Sequence, residues 1–172
     1  MLSDEPHAAV PYQQSRRAAR EAVLKALFQM EFQQIDATAA LQYALQTEES
    51  EPDTTDDAAV AALQTANPRL NEVDHIFAQQ LLSGVLAKCA EIDEILSSFA
   101  RDWSLSRIGK LERSILRMAL YELLWRAEIP AAATLDESVE LTKTFCAVEA
   151  AAFINGILGN IHKHLLELHH YA

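Results

Sequence analysis

Apolar residues recur along this chain at steps of three and four, the period of a helix with one face in a core. From Ser15, a residue suited to an N-cap, the pattern predicts a first helix to about Gln34 with Ala19, Val23, Ala26, Leu27 and Met30 on one stripe. Arg16, Arg17, Arg20 and Lys25 fall mainly off that stripe and are expected to face solvent or a ligand. A second helix is expected from Ala37 to about Thr47, with Leu41, Ala44 and Leu45 inward. Pro68 and Asn71 announce a long third helix, capped by Asn71 and carrying Asp74 near its positive end. Ile76, Phe77, Leu81, Leu82, Val85, Leu86, Ile92, Ile95 and Leu96 keep its period to about Ser98.

After a connector at Trp103 and Leu105, Ser104 or Ser106 opens a fourth helix within GKLERSILRMALYELLWRAEIP, residues 109–130. Its MALYELLW half is apolar almost all round, which predicts the central helix of the fold. Yet the same helix carries Glu112, Arg113, Arg117 and Glu122, the last in i,i+4 register with Arg126. Charges in such surroundings need partners; periodicity favours internal salt bridges, with a docked protein as the alternative. The T-x-x-E of Thr134 to Glu137 reads as a capping box that starts a fifth helix, whose core face is Leu135, Val139 and Thr142. A sixth begins near Glu149 and runs through Phe153, Ile154, Ile157, Leu158 and Ile161; HKHLLELHH either prolongs it or is parted from it at Gly159.

Two stretches lack the period. Residues 1–14 hold Pro6 and Pro11 and read as a flexible leader, and residues 47–57 carry six acids and a proline, the marks of an exposed loop. Asp56 to Ala66 can form one short helix. Composition agrees with an all-α fold: half of the 172 residues are hydrophobic, with only 4 Gly and 5 Pro, and no run alternates as a strand would.

The net charge of −11 argues against an all-over nucleic-acid binder, because phosphate affinity comes from basic groups. Its distribution matters more. Residues 31–74 hold ten acids against Arg69 alone, whereas residues 1–30 carry four basic residues against three acidic, so a basic surface can survive locally. Arg16, Arg17 and Arg20 are the densest basic cluster, and spacings of three and four set guanidiniums side by side on a helix. They read either as phosphate ligands or as a solvated helix start; the unfavourable encounter of cations with the helix dipole tilts the choice toward ligands.

Chemistry on a substrate finds no support. There is no G-x-S-x-G, P-loop, H-E-x-x-H or Gly-rich dinucleotide turn, so neither catalysis nor a cofactor is expected. His162, His164, His169 and His170 lack companions at metal spacing and read as surface residues. Cys89 and Cys146 read as small buried hydrophobes. No segment reaches ~18 uninterrupted apolar residues, so a soluble cytoplasmic protein with no membrane contact is expected.

Taken in order, RRAAREAVLKALFQME, GVLAKCAEIDEIL with the DW that follows, GKLERSILRMALYELLWRAEIP, LDESVELTKTF and FINGILG resemble the NusB family of transcription antitermination factors over residues 15 to 162. That resemblance implies two three-helix lobes packed at a steep angle, the first over about 15–70 with the acidic loop at 48–57, the second over about 71–172. It implies binding of boxA RNA in ribosomal RNA leader transcripts jointly with NusE, a small-subunit ribosomal protein. Other Nus factors and RNA polymerase complete the assembly, and some members form homodimers. By position it assigns Arg16, Arg17 and Arg20 to RNA phosphates, and Phe28, where many members have Tyr, to a base. Phe153 becomes a second base contact and Asn155 an amide that holds the fold. Glu112 and Arg117, with Arg113 beside them, fall near the RNA and NusE surfaces.

Departures from the family pattern bear on affinity. Glu149 stands at an RNA-facing position that is often Asp, and Ala150, Ala151 and Ala152 replace residues that often include Ser and Lys. A missing lysine removes a phosphate contact, and the acidic loop repels RNA, so binding is expected to depend on NusE. The rival expectation is a NusE-binding scaffold with little RNA contact of its own. NusB-like domains also precede ribosomal RNA methyltransferase domains, but with no Gly-rich cofactor-binding segment within these residues, enzymatic activity is not expected.

Overall fold

A computed structural model of the chain describes residues 12–46, 70–100 and 105–170, with side chains described from residue 16 to residue 167. The leader up to residue 11, the acidic loop at 48–57, the short helix expected over 56–66, Trp103 and the side chains of Ser15, His169 and His170 lie outside the described residues. Among those described there are seven α-helices, one 3-10 turn and no strand. The helices are α1 (Tyr12–Met30), α2 (Ala37–Gln46), α3 (Glu72–Ala87), α4 (Cys89–Phe99), α5 (Lys110–Trp125), α6 (Ala131–Phe145) and α7 (Val148–His170). The 3-10 turn spans Leu105–Arg107. No described helix is long and apolar enough to cross a membrane.

Helix α5 is central, as its apolar girth predicts: it touches α1, α3, α4, α6 and α7. Around it, α1 packs on α2 and α3, and α6 packs on α7, while α3 also reaches α5. Leu24, Leu81, Leu82, Leu116, Leu120, Ile154 and Leu158 are fully buried in one continuous core. Burying each such side chain is worth roughly 1.5–3 kcal/mol, which orients these otherwise marginal helices.

Local signals explain several boundaries. Asn71 caps α3, its Oδ1 accepting from the Asp74 N–H at 2.8 Å, and Asp36 caps α2 by accepting from the Ala39 N–H at 2.9 Å. Other boundaries differ from the sequence expectation. Helix α1 begins at Tyr12, so Ser15 lies inside it, and ends at Met30 in a turn where the Glu31 N–H donates to the Phe28 carbonyl at 3.2 Å. Helix α5 starts after Gly109 rather than at a serine. Gly159 causes no break: α7 runs through it to His170.

The expected long third helix is two helices, α3 and α4, parted at Lys88 with φ −105° and ψ 8°. No glycine or proline marks the site. At the break the Lys88 ammonium lies 5.0 Å from the Trp125 ring centre and bonds Glu91, one turn on, at 3.0 Å.

The fifth-helix capping box is also absent, because α6 starts three residues earlier, at Ala131 directly after Pro130. Its buried face is Thr134, Ser138, Leu141, Thr142 and Phe145, while Leu135 and Val139 are half-buried. The hydroxyls of Ser138 and Thr142 satisfy themselves by donating 2.7 Å bonds to the carbonyls of Thr134 and Ser138.

Candidate functional site

Helix α1 is buried along almost its whole girth from Ala18 to Leu27. Alanines at 18, 19, 22 and 26 let α2, α3 and α5 approach closely, so positions off the expected stripe are covered as well. Arg20 and Lys25 are each only 6% exposed, which corrects the expectation that they face solvent. A charge taken into a core must be paired, and Arg20 is: its Nε and Nη2 donate to Glu122 Oε1 and Oε2 at 2.7 and 3.0 Å. The Thr134 hydroxyl donates to the same Glu122 Oε2 at 2.7 Å. Glu122 therefore pairs with α1 and α6, not with Arg126, which bonds Glu128 instead.

Arg17 repeats the pattern at the surface. Its Nε and Nη2 both donate to Glu137, each at 2.9 Å, and this hydrogen bonding holds the guanidinium pKa above its usual value. The side chain stays 43% exposed, so one edge can still meet a phosphate. Arg16 lies 3.6 Å from Asp74 and 4.3 Å above the Phe77 ring, with the guanidiniums of Arg20 and Arg126 each 5.3 Å from the same ring. The three sequence-predicted arginines, Phe77, Asp136 and Glu137 line a cleft of about 280 Å³. Its arginines face carboxylates of their own chain.

The charges of α5 form a second network. Arg117 clasps Asp93 of α4 with two bonds of 2.8 and 2.7 Å, and Arg113 donates to Glu31, just beyond α1, at 2.9 Å. Arg117 also reaches Glu31 at 3.5 Å. The internal bridges favoured by periodicity are thus present, and they join α1, α4 and α5. Glu112 lies against Gly109, where an added Cβ would fall 2.1 Å from its Oε2. It also bonds the Cys146 thiol, whose pKa is pushed up to about 12, first by burial and then by that carboxylate. Both cysteines are half-buried rather than buried.

Of the aromatic candidates, Phe28 and Phe153 are both half-buried against the core. Glu149 is exposed in the first turn of α7, where the helix dipole favours an acid. Asn155, expected to hold the fold, is exposed instead. Beside Phe28 lie Phe32 and Lys110. Phe32 packs edge-on against Phe28 at 4.9 Å, and the Lys110 ammonium sits 3.8 Å from its ring centre. No periodic signal marks them, because Phe32 follows the end of α1 and Lys110 opens α5.

Comparison with known proteins places this geometry among relatives. The sequence model of the NusB family matches residues 17–163. A transcription antitermination protein NusB from Symbiobacterium thermophilum is 39% identical over 147 residues, covering 86% of this chain and 88% of that protein. Its counterpart from Exiguobacterium sp. is 37% identical over 148 residues, covering 86% and 97%. The T. maritima NusB structure superposes with a TM-score of 0.68 at 31% identity, over 86% of this chain and 90% of that one. A structure of antitermination factors NusB and NusE in complex with double-stranded RNA shares the fold, with a TM-score of 0.69 at 20% identity over 88% and 98%.

Proposed function

The chain belongs to the NusB family, and we propose that it is an RNA-binding antitermination factor that holds boxA RNA jointly with NusE. The observation that carries this reading is the match to antitermination proteins across nearly their full length. The solved complex of a same-fold protein with NusE and RNA adds to it. Within this chain, RNA contact falls to the exposed edge of Arg17, to Arg16 beside it, and to Phe28, Glu149 and Phe153. Arg20 holds α1 in place through Glu122. Glu112, Arg113 and Arg117 set the end of α5 that faces NusE.

A gel shift with boxA RNA, with and without NusE at two salt concentrations, tests this. Arg17→Glu repels both Glu137 and phosphate while leaving the core untouched. It should weaken the shifted complex with no loss of helicity in circular dichroism; an unchanged shift would remove the arginines from the interface. The scaffold reading has its own support, because all five arginines of α1 and α5 named as candidates bond or approach carboxylates of the same chain. It requires NusE capture that ignores RNA and a flat salt response.

A further inference from the structure

Of the three arginines on α1, Arg17 is the most exposed, and the carboxylate that clasps it is not. The Arg17 side chain is 43% exposed against 13% for Glu137, whereas the Arg20 pair is closed at both ends, at 7% and 1%. Glu137 takes two of the five N–H groups of the guanidinium, one on Nε and one on Nη2, and leaves three for an outside acceptor. Geometry therefore permits a phosphate contact, but charge does not favour it. The clasping carboxylate cancels the cation at 2.9 Å, and Glu21 and Glu140 add to the negative field around it. Glu137 stands on a helix whose neighbouring Thr134, Ser138 and Leu141 are buried, so the carboxylate stays with the fold while the guanidinium reaches out.

We propose that Glu137 is an affinity-limiting residue of the RNA surface, an internal counter-ion that holds Arg17 in place, cancels its charge and so caps the grip of this chain on polyanions. Phosphate affinity comes from cations that release counter-ions when they meet the strand, and a guanidinium already neutralised by its own fold releases few. A like charge set against unwanted partners is a common source of selectivity. The inference rests on the assignment of Arg17 to RNA under the reading above, and adds the residue that sets how strongly that arginine acts.

The test uses the full chain with NusE and a fluorescein-labelled single-stranded boxA RNA, read by anisotropy across a salt series. Glu137→Gln removes the charge and keeps one acceptor for Arg17. It should tighten binding about threefold, the scale of an ion pair in contact with water, and steepen log K against log salt by about 0.7, the value of one single-strand phosphate contact. A gain cannot come from a misfolded chain, and Glu137→Ala should show it as well. Glu140→Gln is the charge control: its carboxylate bonds Lys143 rather than Arg17, so the same change in net charge should bring a smaller gain. In an Arg17→Gln background, Glu137→Gln should bring none. With the unaltered chain binding RNA, unchanged or weaker binding in both Glu137 variants overturns the proposal and leaves the RNA reading standing. An equal gain from Glu140→Gln, or a gain that persists without Arg17, assigns the effect to overall charge and overturns it too. If neither the unaltered chain nor Glu137→Gln binds RNA beside NusE, both readings fall together.

Discussion

Arg20 shows how burial reassigns a residue. Its guanidinium, Glu122 and Thr134 satisfy one another, so removing one member strands a charge or a polar group in the core. Arg20→Ala or Glu122→Ala should each cost about 3–5 kcal/mol in urea denaturation, whereas Arg20→Met with Glu122→Leu should recover much of that loss. Strict additivity of the two single changes would show that the pair is not coupled. Cys146 offers a pH test. With its pKa raised to about 12, the folded state keeps the thiol form. The stability this brings is complete below the unfolded thiol value near ~8.5 and drains away as pH climbs toward the folded value. Alkylation at pH 8 should therefore be slow until urea is added, and Glu112→Gln should speed it modestly, burial being the larger cause. At this scale the sequence was legible in residue type and misleading in role: in the T-x-x-E that mimics a capping box, Glu137 accepts from Arg17, 120 positions away, and Thr134 donates to Glu122.

Among the elements, those with strong period or clear caps were legible: α2, the start of α3, and α5 as the central helix. Helix α1 is buried more widely than the single stripe its period predicts, because its alanines let neighbours approach on several sides. The break at Lys88 carries no glycine or proline to announce it. Close packing of α3 on α5 also escapes periodicity. An added Cβ at Gly84 would lie 2.0 Å from the Tyr121 ring, which itself stacks on Trp125 at 5.7 Å. Gly84→Ala should thus lower stability by about 1–3 kcal/mol, and adding Tyr121→Ala should relieve the overlap. A thermal melt of Gly84→Ala matching that of the parent would show that the ring moves aside freely.

On the scale of the whole molecule, a net charge of −11 and internally paired arginines leave few cations for RNA. The salt dependence of boxA binding should be shallow. Three phosphate contacts would give a slope near −2 on a logarithmic plot, and a markedly steeper one would mean that the arginine bridges open as RNA arrives. The helical class and the family were legible because motif order survives along the chain. The interface was only partly so: α1 was flagged by its arginines, but which of its groups remain available depends on carboxylates contributed by α3, α5 and α6.

The Arg20 contact joins residues 102 positions apart, and this bears on how the chain comes together. Until α5 arrives, a collapsed α1 holds a cation with nowhere to discharge its field, so an assembly of α1 to α3 alone is penalised. Half-built intermediates are thereby disfavoured, and the two ends of the protein should melt in a single transition.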